Sequence, residues 1–253
     1  MNNPSLRTGN KSMTPDSLRS LAKMIDHSLL HPTLTDDELK KGCELAVQFD
    51  VASVCIKPYA VPLAAEALEG SSVVVGTVVG FPHGNSSTVI KIKEAEQAIA
   101  DGATELDVVV NIGKVLGGDW RYVGEEIRRM NELVTSQDAL LKVIFENDFL
   151  PEDNFKIQLC HLCNEHRVAF AKTSTGYGFV KGAQGTYSYA GAADRDLILM
   201  RRECIPSVQI KAAGGIRTLA DLLRVRALGV TRVGATATAT ILAEARRAQK
   251  RDE

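Results

Sequence analysis

Eight short runs of strand-forming residues recur along the 253-residue chain, each followed by a stretch with helical spacing. This alternation constrains the fold more than any other feature, because parallel strands need crossover connections and the helices in them cover the sheet. The runs cover 24–28, 51–56, 73–80, 103–110, 140–146, 168–174, 207–212 and 231–235. The helical stretches cover 35–49, 60–69, 88–101, 119–136, 151–165, 189–203, 218–228 and 236–250. Thr35 and Glu38 at the first of these match a capping box. Eight such units predict an α/β protein built as a single-domain (β/α)8 TIM barrel over residues 18–253. An open doubly wound sheet is the rival, disfavoured by the strand count and by the lack of GxGxxG in a first turn. Residues 1–17 are polar, carry two prolines and show no periodicity, which predicts a disordered tail. Residues 177–189, rich in Gly and Tyr, form an unusually long connection suited to folding over a site as a lid.

Several predicted strands carry charge on one face. In the fourth, Glu105 and Asp107 alternate with Leu106 and Val108; in the fifth, Lys142 and Glu146 alternate with Leu141, Val143 and Phe145. In the seventh, Gln209 and Lys211 alternate with Val208 and Ile210. Successive strand side chains point to opposite faces, so the apolar set meets the helices and the polar set meets the barrel axis. Barrel interiors are ordinarily filled by branched apolar side chains. Charge at that depth is paired or functional.

The remaining composition narrows the partners. Thirty basic residues stand against 31 acidic ones, with no block of either sign, so nucleic acid and membrane are not indicated. The N-terminal residues lack the apolar core of a signal peptide, and the expected location is cytoplasmic. Five cysteines are scattered; Cys160 and Cys163 form a CxxC within a helical pattern and read as buried thiols rather than ligands.

Lys172 follows the apolar run Val168-Ala169-Phe170-Ala171 at the end of the sixth strand, and Lys211 ends the seventh. Adjacent strands lie about 4.8 Å apart, and two ammonium groups that close favour neutrality in at least one. A neutral lysine amine attacks aldehydes and ketones to give a Schiff base. Asp107 is placed to be their counter-ion or to move a proton between imine and enamine carbons, and Lys142 to pair with Asp107 or Glu146. Ala212–Thr218, with Gly214 and Gly215, and Arg232–Thr238, with Gly234 and Thr236, supply flexible turns before helices, a setting that cradles phosphate. His83 in GFPHGN reads as a turn residue and Cys55 as packing at the barrel mouth.

The segments IDHSLL, ASVCIKP, TVVGFPHG, EAEQAIADGATELDVVVNIG, LKVIFE, AKTSTG, KAAGGIRT and RVGAT, spanning about 26–241, resemble those of the deoxyribose-phosphate aldolases in the same order. The resemblance implies a class I aldolase that reversibly cleaves 2-deoxy-D-ribose 5-phosphate to acetaldehyde and D-glyceraldehyde 3-phosphate, with no metal or other cofactor. It implies that Lys172 forms the Schiff base, that Lys211 lowers its pKa, that Asp107 relays protons, and that Gly176, Gly214, Gly215, Gly234 and Thr236 contact phosphate. Its partners would be a small-molecule sugar phosphate and aldehydes, in a homodimer or homotetramer. Ala235-Thr236-Ala237 departs from the family's two serines, which implies weaker phosphate affinity. Another Schiff-base barrel aldolase or transaldolase, or a non-catalytic sugar-phosphate-binding barrel, remains open on the residues themselves.

Overall fold

Eight parallel strands hydrogen-bond around a closed circuit, and the predicted (β/α)8 barrel is the observed architecture. A computed structural model describes the backbone of residues 15–252 and the side chains of 18–251. The barrel strands are β1 (Ile25–Leu29), β2 (Ser53–Ile56), β3 (Val74–Val79), β4 (Glu105–Val109), β5 (Leu140–Ile144), β6 (Phe170–Lys172), β9 (Gln209–Ala213) and β10 (Arg232–Ala235). Two further strands, β7 (Val180–Lys181) and β8 (Tyr187–Ser188), pair antiparallel as a small ribbon outside the barrel. The helices are α1 (Pro15–Ala22), α2 (Asp36–Phe49), α3 (Val61–Ala67), α4 (Thr88–Ala100), α5 (Ile112–Leu116), α6 (Trp120–Ser136), α7 (Asp153–Glu165), α8 (Asp194–Glu203), α9 (Leu219–Ala227) and α10 (Thr238–Asp252).

Local chemistry explains the main boundaries. Thr35 caps α2 as predicted: its backbone N–H donates to Glu38 Oε2 at 2.7 Å, and Glu38 N–H donates back to Thr35 Oγ1 at 3.4 Å. The helix predicted over 60–69 starts as a 3-10 turn at Pro58–Ala60 and becomes α3 only at Val61, with prolines near both starts. The helix predicted from residue 189 starts instead at Asp194. Before it, the N–H groups of Ala190 and Gly191 donate to the Asp148 carboxylate, and Gly191 has φ +66°, outside the helical region. Most of the predicted 1–17 tail lies outside the described residues, and α1 begins at Pro15.

Between strands and helices runs the apolar core, with Leu106, Val108, Leu141, Val143, Phe145, Val208 and Ile210 all buried on the outward face. Cys160 and Cys163 lie buried on α7, and all five cysteines are free thiols. No helix among the described residues is long and apolar enough to cross a membrane.

Candidate active site

The inward face of the barrel is an ion network. Lys142 Nζ lies 2.8 Å from Asp107 Oδ1, 2.7 Å from Glu105 Oε2 and 3.4 Å from Asp26 Oδ2. Lys211 Nζ lies 2.7 Å from Asp107 Oδ2 and 2.5 Å from Asp26 Oδ2. Lys172 Nζ lies 2.7 Å from Asp107 Oδ2. Below them, Arg232 reaches Asp26 Oδ1 at 2.5 Å and Glu105 Oε2 at 3.1 Å, and its guanidinium stacks 5.3 Å from the centre of the Phe170 ring. Ser53 Oγ donates to Asp26 Oδ1 at 2.7 Å. Asp26, Asp107 and Lys142 have no measurable exposure; Lys211 is 1% exposed and Lys172 3%, which places Lys172 nearest the opening.

Strand register produces this arrangement. Asp107 pairs with Lys142 across β4 and β5, and Lys172 pairs with Lys211 across β6 and β9. Lys172 ends β6 as predicted, whereas Lys211 lies two residues inside β9, which continues to Ala213. The β6 ladder extends past the strand's last residue: Thr173 N–H donates to Lys211 O at 3.1 Å, and Ala213 N–H donates to Thr173 Oγ1 at 3.1 Å. The two lysine-bearing strands are therefore tied together at the mouth.

Two expected axial positions differ. Gln209 is exposed at the first residue of β9, and its Oε1 accepts from Thr231 Oγ1 at 2.8 Å. Glu146 lies just past β5 with φ +58°, and its carboxylate accepts from both N–H and hydroxyl of Thr175. Lys142 accordingly pairs with Asp107 and Glu105 among the acids of β4, and not with Glu146.

The electrostatics separate the three lysines. Burial pushes the Lys172 ammonium down; Asp107 opposes that and Lys211 adds to it, leaving the pKa lowered. For Lys211 burial acts the same way, but Asp107 and Asp26 outweigh it and the pKa is raised. For Lys142 burial is outweighed by Asp107, Asp26 and Glu105, and the pKa is raised well above the ordinary lysine value. Burial would raise Asp107, yet Lys142, Lys172 and Lys211 together hold it well below the carboxylate range. One amine poised to lose its proton thus sits beside two that keep theirs and a carboxylate that stays ionised.

Above the amine opens a cavity of about 160 Å³. Lys172, Lys211, Gly176, Gly214, Gly215, Gly234 and Thr236 all line it, so every predicted phosphate contact shares one cavity with both lysines. Asp107 and Lys142 lie beneath its floor, outside the lining. Its lining residues Arg217 and Thr236 lie two residues before α9, capped by Thr218 and Asp221, and α10. Gly214 has φ +92°, and a Cβ on Gly191 would stand 2.8 Å from Gly214 O, so this close backbone approach requires glycine. Sequence reasoning missed the lining residues Ser28 and Arg217 and the network residues Asp26 and Arg232, while Tyr177 and Tyr189, the ends of the connection expected to fold over a site, both line the cavity. Arg217 had a visible signal, a cation two residues after the Gly214-Gly215 pair. Cys55 also borders the cavity, whereas His83 is an exposed turn residue. A larger groove of about 910 Å³ lies outside, against α4, α6 and α7, and touches none of the axial charges.

Fold and site together define a lysine-centred (β/α)8 barrel, with an amine at the C-terminal mouth below a glycine-lined cavity. The chain belongs to the DeoC/LacD family aldolases, whose family model matches residues 20–236. It is 52% identical to a deoxyribose-phosphate aldolase of Rhodopirellula baltica over 90% of each chain. It is 41% identical to one of Caldanaerobacter subterraneus subsp. tengcongensis, covering 90% of this chain and 95% of that one. Among solved structures, a deoxyribose phosphate aldolase from Aeropyrum pernix, described as having a unique tetrameric structure, superposes with a TM-score of 0.80 at 25% identity, covering 91% of this chain and 93% of that one.

Proposed function

We propose that the protein is a class I deoxyribose-phosphate aldolase, reversibly cleaving 2-deoxy-D-ribose 5-phosphate to acetaldehyde and D-glyceraldehyde 3-phosphate. The observation that carries this reading is Lys172, the one lysine of the axial network with a lowered pKa, set at the floor of a cavity lined by Gly214, Gly215 and Gly234 and sharing Asp107 Oδ2 with Lys211. The relatives' names agree with it.

In the forward direction the neutral Lys172 amine adds to the C1 aldehyde of the open-chain sugar, and loss of water gives the protonated imine. A base takes the proton of the C3 hydroxyl, the C2–C3 bond breaks, and its electron pair enters the iminium to form an enamine. Glyceraldehyde 3-phosphate leaves with the C3 oxygen as its carbonyl. The enamine carbon then takes a proton, and water hydrolyses the imine to release acetaldehyde and restore the amine. Asp107 is the carboxylate nearest the amine and relays these protons, directly or through water. Lys211 keeps Lys172 neutral, and Lys142 fixes Asp107 through its other oxygen. Backbone N–H groups near Gly176, Gly214, Gly215 and Gly234, with the Thr236 hydroxyl, receive the phosphate. The tetrameric A. pernix relative favours a homo-oligomer.

The test is turnover of deoxyribose 5-phosphate followed by acetaldehyde release, together with borohydride reduction in the presence of acetaldehyde. The expected result is a covalent label on Lys172, with both label and turnover lost in Lys172→Ala. Turnover that survives this substitution would refute the reading.

A further inference from the structure

Among the described residues, the axial network holds four basic side chains, Lys142, Lys172, Lys211 and Arg232, against three carboxylates, Asp26, Glu105 and Asp107. The other described titratable groups around Lys172 form no ion pair with these four bases. Burial and then Asp107 push the Cys55 thiol up, and burial pushes the Tyr177 phenol up, so both are neutral at pH 7. Glu146 accepts from Thr175 with both oxygens, and burial pushes its carboxyl up. Tyr189 and Arg217 line the cavity above, towards solvent.

A largely buried cluster holds unbalanced charge at a cost, and that cost falls on the base with the fewest counter-charges. Arg232 cannot, because a guanidinium stays protonated in proteins. Lys142 contacts three carboxylates and Lys211 two, whereas Lys172 contacts one, through an oxygen that Lys211 also uses. Lys172 is the base that yields. The charge making the count uneven belongs to Arg232, which starts β10 and is absent from the cavity lining.

We propose that Arg232 is a positioning residue for the aldolase reaction: its permanent charge occupies Asp26 and Glu105 at the N-terminal end of the barrel and thereby leaves the Lys172 amine unprotonated at the mouth. This inference rests on the reading of Lys172 as the Schiff-base amine. It assigns a specific role to a residue that touches no substrate.

The experiment compares the pH dependence of kcat/KM, and of borohydride labelling with acetaldehyde, across five forms of the full chain: wild type, Arg232→Met, Arg232→Lys, Glu105→Gln and the Arg232→Met/Glu105→Gln double variant. Arg232→Met leaves three bases over three carboxylates, so Lys172 keeps its proton and the acid limb moves up by about one pH unit or more. Below the limb, labelling then falls about tenfold. Arg232→Lys keeps the charge and the wild-type limb. Glu105→Gln moves the limb to lower pH, and the double variant returns it to within about 0.3 unit of wild type, since the charge difference is restored. A folded Arg232→Met protein with an unmoved limb would overturn the role of Arg232, as would equal shifts in the Met and Lys variants. Should Arg232→Met not fold, an upward or absent shift in Glu105→Gln overturns it equally. Failure of the wild type to label at Lys172 would instead overturn the Schiff-base reading, whatever the profiles show.

Discussion

Lys172 and Lys211 stand opposite each other in the register of β6 and β9, and both Nζ atoms donate to the same oxygen, Oδ2 of Asp107, at 2.7 Å. Two ammonium groups cannot share one oxygen at that distance without strong repulsion, and the second carboxylate on Lys211, Asp26, decides which keeps its proton. Lys211→Leu removes the repelling charge. Lys172 then stays protonated to higher pH, because a lysine's acid form gains where a neighbouring cation is lost. The expected outcome is a loss of at least about tenfold in kcat/KM at neutral pH, recovering in part as pH rises. A pH–rate profile superimposable on wild type would contradict this.

Asp148 fixes the far end of the connection between β6 and α8, accepting N–H bonds from Ala190 and from Gly191, the latter at 3.0 Å. Gly191 lies against Gly214, whose O accepts from Ala192 N–H at 3.1 Å. Asp148→Ala frees these backbone groups and loosens the glycine turn in the proposed phosphate seat. A lost partner of this kind costs about 1–3 kcal/mol. The effect is expected mainly as a rise in KM for the phosphorylated substrate, with the rate of acetaldehyde labelling at Lys172 little changed. Steady-state kinetics beside a labelling time course separates the two.

His27 gives the fold an acid-sensitive element away from the chemistry. Its Nδ1 lies 2.9 Å from Thr238 Oγ1 at the start of α10, and burial pushes the imidazole down to about 4. Between the ordinary histidine value and that one, the unfolded chain takes up a proton that the folded chain refuses. Stability contributed by neutral His27 is therefore full at pH 7 and above and falls as pH drops through this window, by about 2 kcal/mol at pH 5. Urea midpoints at pH 7.5 and pH 5 should differ less in His27→Gln than in wild type.

Lys91 and Glu126 form a second buried ion pair, between α4 and α6, at 2.8 Å, and Lys91 also donates to Val109 O at the end of β4 at 2.7 Å. Lys91→Met strands the Glu126 carboxylate and is expected to cost about 3–5 kcal/mol, whereas joint replacement by Met and Leu recovers most of it. Denaturant unfolding of the two single variants and the double variant checks the coupling.

Much of this site is legible before any coordinates, and the exceptions share a cause. In β4, Glu105 and Asp107 declare the inward face because two charges recur at a spacing of two. Asp26 and Arg232 each stand as the one charged residue in a strand of five and four residues, and a lone charge has no period. What places them is register: Arg232 pairs with Lys211, and Asp26 with Gly234, and no local pattern encodes which residue of a neighbouring strand lies alongside. Barrel closure is legible from the strand count, while the ribbon β7–β8 is not, since strands of two residues carry too few side chains to alternate. Glu146 misleads for a related reason: it continues the alternation of β5 in sequence, but the chain turns into the left-handed region there and redirects the side chain to Thr175.

The ribbon itself is exposed along both strands; its flanks are anchored at Thr175 by Glu146 and at Ala190–Gly191 by Asp148. Between those anchors, Gly176, Tyr177 and Tyr189, which flank the ribbon, line the cavity. A segment held in this way is an exchangeable cassette. Its length and aromatic content are free to diverge between anchors, retuning which carbonyl compounds gain admission while the chemistry underneath is inherited intact.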